Sequence, residues 1–169
     1  MGAVRRLKEK GDYAGAEALC QRMLADKEKT LSPEHPDTLE IVDNLAHLLE
    51  KKGDYAGAEA LYRRALAGRE KELGPEHRDT LGSVNGLAIL LSCSGRLPEA
   101  VQLLREKAAL SPKALEAVRY NLARYECLSG NLDEAKRLIA EELAANPEKK
   151  EKALQDDDLK AIRDFIQTL

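Results

Sequence analysis

The sequence predicts an all-α fold: a right-handed α-solenoid of stacked antiparallel helix pairs, closed by a C-terminal capping helix. Three observations predict it. The nonapeptide GDYAGAEAL occurs at residues 11–19 and again at 53–61, and residues 11–41 match 53–83 at 21 of 31 positions, an offset of 42 residues. Self-similarity at a fixed period of this size marks supersecondary units that bury their apolar faces only by stacking on one another. Apolar residues then recur at helical spacing within each unit. Finally, glycines stand between the apolar stripes. Trp is absent and Phe occurs once, so Leu and Ala do the packing, and many Ala residues imply close helix contacts.

The elements follow in order. The array is expected over residues 1–147, as about 3.5 units with bounds 1–32, 33–74, 75–113 and 114–147. In the first unit only about residues 2–10 remain for a first helix, so the chain is expected to start inside a longer array. Its second helix carries Ala16, Leu19, Cys20, Met23 and Leu24 at i, i+3, i+4, i+7 and i+8. The second unit has Val42, Leu45, Ala46 and Leu49 on its first helix, then Gly53 as a left-handed terminus and Asp54 as N-cap. Ala58, Leu61, Tyr62, Ala65 and Leu66 make the second stripe. In the third unit Val84, Leu87, Ala88 and Leu91 precede Gly95. Pro98 then stands near the start of the next helix, where proline is tolerated, and Ala100, Leu103 and Leu104 follow. The fourth has Leu122 and Ala123, Gly130, then Ala135, Leu138, Ile139 and Leu143. Gly95 to Gly130 is 35 residues, so the period shortens. The extra residues of the early units lie near 30–39 and 71–80 and lengthen the helices flanking the turn between units.

Residues 148–169 break the period. A short helix is expected over 148–155. The acidic triplet Asp156, Asp157 and Asp158 suits a helix N-terminus, where free N–H groups and the dipole favour negative charge. Leu159, Ile162, Phe165 and Ile166 give that helix one apolar side for covering the end of the array, with docking to a partner as the alternative.

Gly53, Tyr55, Ala58, Tyr62 and Ala65, with the large–small pair Leu45 and Ala46, resemble the signature of the tetratricopeptide repeat. Pro112 and Pro147 stand where that repeat has its closing proline. The 42-residue period with LSPEHPDTL and LGPEHRDTL is similar to the kinesin light chain type of this repeat, also frequent in bacterial signalling proteins. Lys107, Glu126 and Glu142 depart from the pattern, so the last two units are looser matches. The resemblance implies that first helices line a concave groove. Its candidate peptide-binding residues are Arg5 and Lys8; then Glu40, Asp43, Asn44, His47 and Glu50; then Asn85 and Ile89; then Tyr120, Asn121 and Arg124, with Ser92 and Cys127 at the ends of their helices. Asn44 and Asn121 stand where related arrays hydrogen-bond an extended peptide, and an amide both donates and accepts. Tyr120 would pack on an apolar side chain and Arg124 would pair with a carboxylate. The carboxylate clamp of chaperone-binding relatives needs Lys or Arg where this chain has Gly82 and Gly86, so no such clamp is expected. Glu40, Asp43 and Glu50 instead favour a peptide carrying Lys or Arg.

Other classes of function find little support. Net charge is −3, with 27 Lys and Arg against 30 Asp and Glu, so no basic excess exists to track a phosphate backbone. No apolar run approaches the roughly 20 residues that span a bilayer. The N-terminus lacks a signal-peptide core, which leads to a cytoplasmic expectation. Cys20, Cys93 and Cys127 are far apart in sequence and read as free thiols, with Cys93 and Cys127 near the ends of adjacent first helices. His35 and His77 occupy one repeat position in turns and read as capping or packing groups. His47 has no nucleophile or orienting partner for general-base work. The chain is therefore read as non-catalytic and free of cofactor or metal, a scaffold for a protein or peptide. The alternatives are a sensor segment of a larger bacterial signalling protein or enzyme, and self-association through an uncapped N-terminal face.

Overall fold

The computed structural model describes residues 2–169, and no strand occurs among them. The chain divides into two compact units, Met1–Leu90 and Leu91–Leu169. In the first, α1 (Gly2–Glu9), α2 (Tyr13–Thr30), α3 (Pro36–Lys51) and α4 (Tyr55–Leu73) lead into α5 (Arg78–Cys93), which crosses the boundary. Val4, Ala16, Cys20, Ile41, Leu45 and Leu48 form one buried cluster, joined at its edge by Leu7, Leu19, Met23, Leu24 and Leu61. The helical stripes read from the sequence are thus the surfaces that meet.

The duplicated nonapeptide is explained by turn geometry. Gly11 and Gly53 sit at φ 75° and 83°, a left-handed conformation in which a side chain is strained. Asp12 and Asp54 cap the next helix, their carboxylates accepting from the N–H of Gly15 and Gly57 at 2.9 and 3.0 Å. A Cβ on Gly57 would lie 2.5 Å from the Asp54 carboxylate, so the aspartate and the second glycine of GDYAG require each other. His35 and His77 cap as well: each Nδ1 accepts from the backbone N–H two residues on, at 3.2 Å.

In the second unit α6 (Leu97–Ala108), α7 (Pro112–Leu128) and α8 (Leu132–Ala145) precede a 3-10 turn at Pro147–Lys149, α9 (Lys150–Gln155), a 3-10 stretch Asp157–Ile162 and α10 (Arg163–Thr168). The shorter period appears as a shorter second helix, 12 residues in α6 against 19 in α4. Two of the residues that depart from the family pattern, Glu126 and Glu142, are buried ions with partners. Glu126, 1% exposed, takes both Nε and Nη2 of Arg105 at 2.6 and 2.8 Å. Glu142, also 1% exposed, is paired with Lys149 and Arg119 and accepts from Asn146. The C-terminal segment is a 3-10 stretch followed by a short α-helix where one continuous helix was expected. Leu159, Ile162 and Ile166 are fully buried, and the segment packs on α7 and α8. No described helix is long and apolar enough to cross a membrane.

Candidate functional site

Within the first unit, Arg5 and Lys8 of α1 and Glu40, Asn44 and His47 of α3 line one cleft of about 660 Å³, together with Glu9, Tyr13 and Lys51. Five of the residues expected on the groove therefore converge. Three of them follow from register: residues 40, 44 and 47 recur at four and three positions along α3 and share a face. The α1 wall is basic, with Arg5 paired to Glu9 at 2.9 Å. Lys8 is half-buried and makes no hydrogen bond or ion pair among the described residues. Asn44 donates Nδ2 to the Glu40 carbonyl at 2.8 Å, which leaves a second N–H on the same amide for a ligand. Tyr13 contributes an exposed aromatic face, and neither it nor Lys51 was singled out from the sequence. Their signal was present: Tyr13 stands in the duplicated motif at the turn beside α1.

Asp43 and Glu50 have internal partners, and the expected acidic centre is correspondingly reduced to Glu40. Asp43 pairs with Arg69 of α4 and accepts from Ser83 of α5 at 3.3 Å; Arg69 is itself 7% exposed and also donates to the Asp79 carbonyl. Burial pushes the Asp43 carboxyl up, and the Arg69 and Ser83 contacts oppose that rise. Glu50 accepts from the Tyr62 hydroxyl at 3.2 Å and lies 3.7 Å from His47 Nδ1. Burial, with the Glu50 charge beside it, holds the Tyr62 phenol well above its ordinary range. His47 is held below the ordinary imidazole value, first by burial and then by the Lys8 charge, against the opposing pull of Glu50. Of the two clamp positions, Gly82 faces open space. A Cβ on Gly86 would lie 2.8 Å from the Tyr62 ring, so no cation fits there without moving an aromatic side chain.

In the second unit the expected groove residues of α7 meet the chain's own C-terminal segment. Tyr120 donates its hydroxyl to Asp156 at 3.1 Å, and the Lys152 ammonium stands 4.8 Å from the Tyr120 ring centre. Arg124 reaches Asp156 through Nε at 3.0 Å and Asp158 through Nη2 at 2.5 Å, and also donates to Asn121. The acidic triplet thus serves two purposes. Asp156 caps the 3-10 stretch by accepting from the Asp158 N–H, and the two carboxylates close on one guanidinium. Asn85 and Ile89 of α5 are half-buried and belong to the first unit. Cys20 and Cys127 are buried and Cys93 exposed, all three free. No group of three potential metal ligands occurs among the described residues.

The tetratricopeptide repeat family model matches residues 6–71 and 40–113, more than half of the chain. The chain belongs to the tetratricopeptide repeat family. Among solved structures, one assigned to a kinesin light chain of Podosopora anserina with nearly identical TPR-like repeats superposes with a TM-score of 0.76 at 25% identity, covering 99% of this chain and 88% of that one. A point variant of that Podosopora protein gives 0.72 at 26% identity, over 95% and 78%. BtubC (BKLC) from P. vanneervenii, at 20% identity and TM-score 0.73 over 94% and 68%, shares the fold. No functionally curated protein gives a significant match. The repeat is of the kinesin light chain type, and the fold is the all-α tetratricopeptide fold. Repeats of this family mediate protein–protein interaction, generally as scaffolds without catalytic function.

Proposed function

We propose that this tetratricopeptide protein is a non-catalytic interaction module that holds an extended peptide in the cleft between α1 and α3, in a reducing, cytoplasmic setting. The observation that carries the reading is the convergence of Arg5, Lys8, Glu40, Asn44 and His47 on a single cleft. Its volume suits several side chains, and its polar groups are spaced mainly along α1 and α3, as an extended main chain requires. Asp43 and Glu50 are turned to internal partners and Arg5 is paired with Glu9, so Lys8 and Glu40 carry the unmatched charge of the cleft. A peptide with a carboxylate over Lys8 and His47, and room for a cation near Glu40, fits better than a basic one.

Peptides selected by display against the whole chain, with counter-selection on the Lys8→Glu, Asn44→Ala double variant, test this. The expected result is a set of binders whose amide-shift footprint falls on α1 and α3 and whose affinity drops at least tenfold in the double variant. Binders that footprint elsewhere and tolerate both substitutions would overturn the reading. High-affinity, carboxyl-terminus-dependent capture of acidic chaperone tails is not expected, since Gly82 and Gly86 stand at the clamp positions.

A further inference from the structure

We propose that the α1–α3 cleft takes up an acidic side chain and a proton together: a peptide carboxylate docks between Lys8 and His47, and His47 becomes imidazolium as it does. The proposal rests on the cleft reading above and adds its regulation. Three features of the geometry carry it. His47 lines the cleft with its side chain 39% exposed, so a ligand reaches the ring directly. Its nearest anion, Glu50, is 9% exposed, 3.7 Å away and already bound to the Tyr62 hydroxyl at 3.2 Å, so it matches an imidazolium only in part. On the other wall Lys8 stands half-buried without an anion among the described residues.

The charged and titratable groups facing His47 come from four elements; α2 contributes the Tyr13 phenol on the cleft wall. From α1 come Lys8, and Arg5 already paired with Glu9; from α3 come Glu40, Glu50 and Lys51; from α4 comes the Tyr62 hydroxyl, through Glu50. In the free protein, burial and then the Lys8 charge disfavour the imidazolium, against the opposing pull of Glu50. A carboxylate placed between the two groups reverses the balance. It pairs with Lys8 directly and supplies the second anion that an imidazolium in this place lacks. Ligand and proton then bind with positive coupling, and each tightens the other by the same factor.

The sign follows from linkage. A ligand that binds the protonated form more tightly raises the titration midpoint of His47, so affinity grows as pH falls through the window between the free and bound midpoints. A glutamate in the ligand stays ionised down to roughly pH 5, so the growth is not cut off by the ligand itself. A rise of about one unit in the midpoint corresponds to roughly tenfold tighter binding at the acid end.

The test uses the whole chain with two probes, a blocked alternating alanine–glutamate pentapeptide and its alanine–glutamine counterpart, each titrated from about pH 8 to about pH 5.5, the range of imidazole titration. Amide shifts report binding, and the His47 ring resonances report its protonation. The expected result is a glutamate peptide that shifts α1 and α3, tightens about threefold to tenfold toward acid pH and raises the His47 midpoint, while the glutamine peptide binds without pH dependence. His47→Gln should flatten the pH profile, and Lys8→Gln should weaken only the glutamate peptide; the ring titration of the unmodified protein stands even if a variant folds poorly. Equal, pH-independent binding of both peptides at α1 and α3 would overturn the coupling and leave the cleft reading intact. Absence of any shift there would remove the cleft reading and the coupling with it.

Discussion

Two faces of the molecule occupy one register and meet different neighbours. Asp43 and Tyr120 stand two residues before the matched leucines Leu45 and Leu122, and His47 and Arg124 stand two after them. In the first unit the anion is on the first helix: Asp43 is gripped by Arg69 and Ser83, while His47 looks into an open cleft. In the second the cation is on the first helix: Arg124 is gripped by Asp156 and Asp158 of the C-terminal segment, which also takes Tyr120. The difference teaches that register decides which way a side chain points, whereas the element packed opposite decides whether it becomes a binding site or an internal contact.

The comparison breaks most visibly at the apolar anchor of the C-terminal segment. Leu159→Ala should cost about 3 kcal/mol, read by urea denaturation of the whole chain, and should return Tyr120 and Arg124 to solvent, read as raised amide-proton exchange over α7. An unchanged midpoint would mean that the segment does not cover α7. Next comes the inverted pair of the first unit. Arg69→Met leaves Asp43 largely buried without its cation and should cost about 2 kcal/mol, somewhat less than a fully buried pair because Asp43 keeps some exposure. Adding Asp43→Leu should recover more than half of that loss. A double variant as unstable as the single one would show that the pair sets no geometry of its own.

Gly86→Ala forces a Cβ against the Tyr62 ring and should cost about 1–2 kcal/mol as overpacking, whereas Gly82→Ala, which meets nothing within 4 Å, should be neutral or slightly stabilising. The same loss at both sites would mean that close approach is not what excludes a cation from the clamp position. The smallest expected effect is at the half-exposed latch. Asp158→Asn should cost about 0.5–1 kcal/mol at low salt, and the difference from the parent should shrink at about 1 M salt. A loss that salt leaves unchanged would place the latch energy in packing around Leu159 instead.

Much of the fold is legible in the sequence because its signals are local. The stripes of α2, α3 and α4, the turn at Gly53 and the caps at Asp54 and His35 each depend on residues a few positions apart. The site was legible in part. Arg5, Lys8, Glu40, Asn44 and His47 could be gathered by helical periodicity and the family resemblance, since both locate a face. Tyr13 and Lys51 completed the cleft from positions that periodicity does not mark. Asp43 and Glu50 could not be removed from the acidic centre in advance, because their partners, Arg69, Ser83 and Tyr62, lie 12 to 40 residues away in the chain.

The duplicated GDYAGAEAL and the 42-residue period determine, without any coordinates, that this chain builds helix pairs with a glycine turn and an aspartate cap. That much rests on backbone conformation and short-range hydrogen bonds, which a sequence window contains. Only tertiary structure decided which charges remain available to a partner. Burial and pairing are properties of surfaces brought together from distant segments, and a carboxylate facing a guanidinium is no longer a site, whatever its place in the repeat.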